Sequence, residues 1–553
     1  MAVLDARADS DHIHTSHPRK LPSTTTGDKV NHARRKRPSR AGVPRLDASE
    51  LAKIGGRIVE LECCSEPAEA MARSVPPPVV DVHLIAYTRS VAPGYEDAMN
   101  SLALSSRLAV RRLTLILLLL IFTATLCIST ACVTDTFPGA FAFDWSHVPL
   151  AILNVSVLAP VVVLFAYARF SFGYIVSFNF FTMIAGYLWL IAFSMLSYDH
   201  RLAYVSIIVS GLLFILPSLL VTSPGRRPPL MSTGTFDRLL SLLLLVAAAV
   251  VAAGALYNFT PVGLSEIYKY RAEMNFPAPL RYALGTTSNA LLPFAFAGFL
   301  ERRLFGRAGL ALLLLLLLYP VTLTKLTLFA PFWLLFLAVL STWAPPRAAT
   351  ILFLLLPMLA GIVVFFTMRA GLFPPGIGSL YVGTVNSRMI AMPSVALEVY
   401  NNFFFEHPLT HFCQVNLLRP FMSCPYDEPL SVVMSKAYQF GAFNASLFAT
   451  EGIASIGPMF APLSALGCGL IIALANRLSS GLPPRLILVS SGLILQALVN
   501  VPLSTNLLSN GAALLFVLWY VSPRAAVTTS GKPHYGAEAE QLPPQARTTL
   551  PDG

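Results

Sequence analysis

From Leu113 to Val521 the sequence is a succession of apolar runs, each near the length that crosses a hydrocarbon core, joined by short polar segments. Lipid offers no hydrogen-bond partner to a bare peptide group, so each run must close its own backbone bonds as a helix. Twelve runs are read, near 113–133, 148–168, 174–196, 202–221, 239–256, 286–300, 308–321, 326–343, 349–367, 455–474, 486–501 and 507–522. The expected fold class is therefore an all-α polytopic membrane protein of about 12 transmembrane helices, with one large, partly helical loop.

Composition agrees, since 55% of residues are hydrophobic and 12% charged, against roughly 25% charged in soluble domains. A net charge of +11 would ordinarily raise nucleic acid as a partner. Here Lys and Arg gather in the N-terminal tail and in short joints between runs, the pattern of the positive-inside rule, so no nucleic-acid partner is expected. Residues 1–106 lack periodicity and are rich in Pro, Ser, Thr and charge, as in HARRKRPSR and SVPPPVV, and they read as a disordered cytoplasmic tail. No secretory signal peptide opens the chain. A start at Met99 would instead put NSLALSSRLAVRR directly before the first run. The transmembrane domain is assigned to 107–524 and a second disordered tail to 525–553.

Loop charge sets the expected orientation. Arg111, Arg112, Arg226, Arg227, Arg238, Arg302, Arg303, Arg307, Arg347, Arg477, Arg485 and Arg524 all fall in joints on one side of a twelve-run chain. That side is the cytoplasm, with both termini in it. The segments 134–147, 197–201, 257–285, 322–325 and 502–506 then face outward, together with the long polar stretch Arg369–Glu451.

That stretch carries most of the polar chemistry outside the tails. MPSVALEVYNNFF has apolar residues at helical spacing, with Ser394 placed to cap and Pro408 to terminate. Such a helix lying on the membrane surface would bring Arg388 and Glu398 to headgroup level. A second helix is signalled after Asp427-Glu428-Pro429, with Gly441 as its stop. His407, His411, Cys413 and Cys424 form a His-x3-His-x-Cys-x10-Cys series. It admits a Cys413–Cys424 disulfide, free thiols or a metal set, the disulfide being the simplest account in an oxidising compartment. No metal and no cofactor are expected.

The loop 257–285 gathers Glu266, Lys269, Arg271, Glu273 and Arg281, and Lys325 lies in the hairpin LYPVTLTKLTLFAPF. Cations outside run against the charge bias, and binding an anion at headgroup level is a reason for Arg388, Arg271, Arg281 and Lys325 to be there. The spans are nearly free of ionisable residues, which counts against a proton-coupled transporter.

In combination, IYKYRAEMNFPAPLRY before a span, the TLTKLTLFAPF hairpin, NSRMIAMPSVALEVYNNFFFEHPLT and FNASLFATEGIASIG resemble the Wzy-type O-antigen and oligosaccharide-repeat-unit polymerases over roughly residues 110–522. No Arg of the outer loops is followed by ten residues and then Gly, a pattern of some members. The resemblance implies a GT-C-like glycosyltransferase of the bacterial inner membrane. It would pass glycan from undecaprenyl pyrophosphate to a sugar hydroxyl of another lipid-linked unit. Its partners would be that lipid-linked oligosaccharide, membrane lipid, a chain-length regulator and a flippase. Pyrophosphate leaves readily, so such a site mainly needs cations and a group to accept the hydroxyl proton. On this reading Arg388, Arg271, Arg281 and Lys325 hold the pyrophosphate. His411, Glu398 or His407 acts as base, His411 being favoured because histidine exchanges protons near neutral pH. Glu451 would meet sugar hydroxyls. An O-antigen ligase, and a twelve-span transporter or flippase, are the competing readings.

Overall fold

In the computed structural model, residues 93–222, 231–263, 266–267, 270, 274–415, 418–440 and 449–524 are described. They are helical throughout, and the only strand-like pairing among them is a bridge between Phe141 and Ser194. The helices are α1 (Pro93–Val133), α2 (Val148–Ser156), α3 (Ala159–Tyr167), α4 (Phe172–Leu190), α5 (His200–Leu220), α6 (Thr233–Tyr257), α7 (Ala278–Thr286) and α8 (Leu292–Glu301). Then come α9 (Phe305–Thr322), α10 (Lys325–Trp343), α11 (Pro346–Arg369), α12 (Pro375–Val382), α13 (Met392–Glu406) and α14 (Leu430–Tyr438). The last are α15 (Ala449–Ser479), α16 (Pro484–Leu498), α17 (Leu503–Leu508) and α18 (Ala512–Val521). π-helical segments join α7 to α8 (Thr287–Leu291) and α12 to α13 (Gly383–Ala391).

Nine helices among the described residues are long and apolar enough to cross a membrane. A tenth span is formed if the pair Trp145–Ser156 and Ala159–Tyr167, bent by 41°, is taken as one. The remaining two of the twelve expected runs form the shorter apolar helices Pro484–Leu498 and Ala512–Val521. Pro160 at the head of α3 gives a reason for the bend, because it has no N–H to continue the helix from α2. The first helix begins at Pro93, inside the stretch read as tail, while residues 1–92 and 525–553 lie outside those described.

Local chemistry sets several starts. Ser171, Asp199, Ser232 and Thr324 each accept a backbone N–H of the turn they open, which satisfies donors that lipid could not. Hydroxyls inside the spans bond back to their own helix, as Thr125 does to Ile121 O at 2.7 Å and Thr182 to Phe178 O at 2.9 Å. α4 is buried along its whole length and forms the centre of the bundle. α6, α9 and α10 bury one stripe each and turn Leu, Val and Phe outward, as a lipid-facing layer does. At one end of α4, Arg347 donates to the Ala166 and Ala168 carbonyls at 3.3 and 3.2 Å. Asn476 of α15 joins that same end, accepting from Gly173 N at 2.5 Å and donating to Ser218 O at 2.6 Å, and the other end of α4 runs into the 194–199 loop.

The polar stretch departs most from expectation. Instead of a surface helix capped at Ser394, the chain is helical from Pro375 to Glu406, largely exposed in its first turns and packed inside the bundle over most of Asn386–Phe404. It starts at the far end of α11, where Gly378 meets Met368, and descends until Asn386 donates to Met358 O (3.0 Å) and to Ser129 of α1 (2.8 Å). It returns along α4, where Ser394 donates to Met183 O at 3.0 Å, and reaches the 194–199 loop at Glu398. Two glycines make this approach feasible. A Cβ at Gly361 would overlap Asn386, and one at Gly186 would overlap Ser394. The helix ends at Glu406, with His407 extended before Pro408. α14 ends earlier than the Gly441 stop, at Gln439 in the left-handed region (φ 58°), and Gly441 lies outside the described residues.

α15 is broken at Gly457, whose φ of 77° and ψ of 164° are open to glycine alone. Pro458 has no N–H for the Ala454 carbonyl, and the loop supplies the missing donors. Thr410 N reaches Ala454 O at 2.8 Å and His411 N reaches Ser455 O at 3.1 Å. Glu451 thus lies within a helix rather than at the edge of a loop.

Candidate functional site

Glu398 is the fully buried carboxylate of α13, and its neighbours come from the joint between α4 and α5. That joint is held from below by backbone pairing, Ala142 N to Phe193 O (3.0 Å) and Met195 N to Ala140 O (2.9 Å). From above it is fixed by Asp199, which accepts Arg201 N and Leu202 N and so starts α5. Between these anchors Ser194, Tyr198 and His200 turn toward Glu398.

The hydrogen-bond directions form one chain. Ser194 Oγ donates to Glu398 Oε1, and Tyr198 donates to Oε2 at 2.6 Å. Tyr198 has spent its only hydrogen, so the 3.2 Å contact with Tyr187 is a bond donated by Tyr187. Burial, reinforced by Tyr187 and Glu398, pushes the Tyr198 phenol well above its usual range and keeps it a donor. His200 Nε2 lies 3.3 Å from Ser194 Oγ and 3.7 Å from Glu398 Oε1, and its ring sits against Tyr198 with centroids 4.1 Å apart. A buried carboxylate is tolerable only with partners of this kind. α14 closes over the same helix, Tyr438 donating to Asn402 Oδ1 at 2.6 Å, while Asn402 donates to Ser197 O at 3.2 Å.

The structure places the residues expected to act as follows. Glu398 is at the centre of the cluster and buried among helices rather than carried on a surface helix, because polar residues leading into and along α13 are satisfied by α1, α4 and α11. His407 stacks on Phe403 (centroids 3.9 Å apart), with Nδ1 2.8 Å from Phe403 O, an arrangement that finishes α13. His411 is exposed in a left-handed conformation (φ 48°), and its backbone rather than its ring contacts α15. Cys413 and Cys424 are bridged, with Cα atoms 5.4 Å apart. No group of three or more His, Cys, Asp or Glu residues suited to a metal occurs among the described residues.

Arg388 is exposed on the π-helical segment beside α1, α11 and α13. Arg281 is exposed on α7, which packs on α6, and Lys325 opens α10 half-buried. The segment Asn258–Val262 ties that second region to the end of α9, with Thr260 N to Pro320 O at 3.0 Å and Tyr319 donating to Val262 O. The segment that carries Arg388 and the helix that Lys325 opens both pack on α11, whereas α7, which carries Arg281, packs on α6. Arg271 lies outside the described residues. Glu451 is half-buried in the first turn of α15, close enough to Tyr400 of α13 for the two to interact electrostatically.

Sequence reasoning passed over Ser194, Tyr198 and His200. The signal was the polar triplet Tyr198-Asp199-His200 between two apolar runs, in a joint too short to look like a site. No family model, curated protein or solved structure matches the chain.

Proposed function

We propose that this chain is a membrane glycosyltransferase that polymerises lipid-linked oligosaccharide repeat units at the outer face of a bacterial inner membrane. The observation that carries the reading is the fully buried Glu398, wrapped by hydroxyl and imidazole groups at one end of an all-helical, multi-pass bundle. A transfer from undecaprenyl pyrophosphate to a sugar hydroxyl needs a group that receives the hydroxyl proton beside the membrane surface, and this cluster supplies one. Arg388, exposed on the segment that leads into α13, is the cation nearest in sequence to Glu398 and is assigned to the pyrophosphate, with Arg271, Arg281, Lys325 and Glu451 as contributors to the substrate path. Arg347 marks the opposite end of α4, and the positive-inside rule makes that end cytoplasmic and the Glu398 end outward. Attack on a lipid-bound donor needs no nucleotide, which the outer face would not provide.

A second reading rests on the same carboxylate. A buried Glu with a histidine beside it is also the equipment of a proton-coupled transporter or flippase. Analysis of lipid-linked glycans in a deletion strain separates the readings. A polymerase leaves single repeat units and no polymer. A ligase leaves full polymer on the carrier lipid, and a flippase leaves single units facing the cytoplasm. Recovery of normal polymer length in the deletion strain would sink the polymerase assignment.

A further inference from the structure

We infer that His200 is the residue that takes the proton from the acceptor hydroxyl, with Glu398 and Ser194 as the groups that position its ring. This rests on the glycosyltransferase reading above and names the base within it. Ser194 has a single hydrogen and gives it to Glu398, so toward His200 its oxygen accepts. The hydrogen of the imidazole is therefore on Nε2, and Nδ1 is left with its lone pair. Leu196 N adds a 3.2 Å bond to the same Ser194 oxygen, which holds the hydroxyl in this orientation.

Exposure divides the labour. The His200 side chain is 38% accessible, whereas Glu398 is wholly enclosed and cannot touch a substrate. A carboxylate behind an imidazole fixes the tautomer and stabilises the imidazolium as it forms, the arrangement that recurs in unrelated hydrolases. The third member here is a serine hydroxyl bridging the two, and Tyr198 packs against the ring at a 49° tilt and shares the carboxylate. His407 and His411 lack such a partner set, the first being stacked on Phe403 and the second turned out on the loop.

In the step so assigned, the acceptor oxygen bonds to the anomeric carbon as that carbon's bond to the pyrophosphate oxygen breaks. Pyrophosphate leaves with the electron pair, and the hydroxyl proton passes to His200. The imidazolium then faces the Glu398 carboxylate at 3.7 Å, and gives its proton to water after product leaves.

The test uses membrane vesicles from a deletion strain, which hold that strain's own undecaprenyl-linked repeat units, with the full-length chain expressed in them. His200→Ala is expected to slow glycan lengthening about 10²- to 10⁴-fold, the usual worth of a positioned base. Added imidazole should restore a measurable part of the rate to His200→Ala and none to Glu398→Gln, in which the ring is present but misheld. A merely structural histidine would not answer to imidazole. His200→Gln, checked for a folded profile by gel filtration, guards against loss by misfolding. Wild-type lengthening by either His200 variant, or a slow His200→Ala that imidazole leaves unchanged, overturns the assignment. Vesicles in which the wild-type chain itself lengthens nothing overturn instead the polymerase reading on which it rests.

Discussion

Gly361→Ala tests the burial of the 375–406 segment directly. Gly361 lies in the middle of α11, and an added Cβ would overlap Asn386 Oδ1, with Cγ at 2.5 Å and Nδ2 at 2.9 Å. The amide cannot swing aside while keeping its bonds to Ser129 Oγ (2.8 Å) and Met358 O (3.0 Å). Interhelical hydrogen bonds in membranes average roughly 0.6 kcal/mol, so losing two costs about 1 kcal/mol. Overpacking a filled core adds about 1–3 kcal/mol. The expected destabilisation is about 2–4 kcal/mol.

The assay is unfolding of the purified full-length protein in mixed micelles, titrated with SDS and followed by tryptophan fluorescence. Trp189, Trp333 and Trp519 are buried or half-buried in three different helices and report the bundle as a whole. The double variant Gly361→Ala/Asn386→Ala removes the obstacle, and its methyl group partly fills the space the amide vacates. It should lose only about 1–2 kcal/mol, less than Gly361→Ala alone, a non-additivity expected only of residues in contact. Wild-type stability of Gly361→Ala, or additivity of the two changes within about 0.5 kcal/mol, would refute the packing. A helix lying on the membrane surface would give that result.

Four other substitutions have definite expected outcomes. Asn476→Leu removes bonds to Gly173 N, Ser218 O and Val221 O that join α4, α5 and α15, and should cost about 2 kcal/mol in the same titration; Arg302→Gln, which breaks an exposed pair with Asp237 (2.7 Å), should cost under about 1 kcal/mol. Replacing Cys413 and Cys424 by Ser opens a loop of 11 residues' separation, worth about 3 kcal/mol of chain entropy, and limited proteolysis should then cut between them while the spans stay intact. Arg388→Ala, at an exposed position, should leave the protein in the membrane and folded yet shorten the glycan in a complemented deletion strain, and wild-type lengths would remove Arg388 from the site.

The apolar runs were legible because burial in lipid and burial in protein ask for the same residues, and hydropathy reads both. It failed where the two differ. The 375–406 segment carries Asn386, Ser387, Ser394, Glu398 and Asn401, all buried, and no average over its sequence announces burial. Asn386, Ser394 and Glu398 are acceptable there because their partners lie on other helices or joints, as Ser394 has in Met183 O. The same limit applies at the site. Glu398 could be named as a candidate from its place in a polar stretch, but His200 could not, since nothing in YDH states that α13 will end beside it. The left-handed turn at His411 and the break at Gly457 are coupled through backbone bonds, and the reading of 455–474 as one continuous run anticipates neither.

Stability alone gives no account of Glu398. Apolar residues in place of Glu398, Ser194 and Tyr198 together would avoid the desolvation that a carboxylate incurs, and replacing a whole buried charged set by apolar residues is often neutral or stabilising. What the carboxylate adds is direction. It takes the hydrogens of Ser194 and Tyr198, and by doing so decides which nitrogen of His200 holds a hydrogen and which keeps a lone pair. Neither element can do this by itself, for α13 brings the acceptor and the 194–200 joint brings the donors. The geometry exists only when the 375–406 segment is seated, and the glycines at 186 and 361 let it seat. A buried charge reached by two close helix approaches, with a partly accessible imidazole beside it, is the arrangement that the proposal of His200 as base draws on.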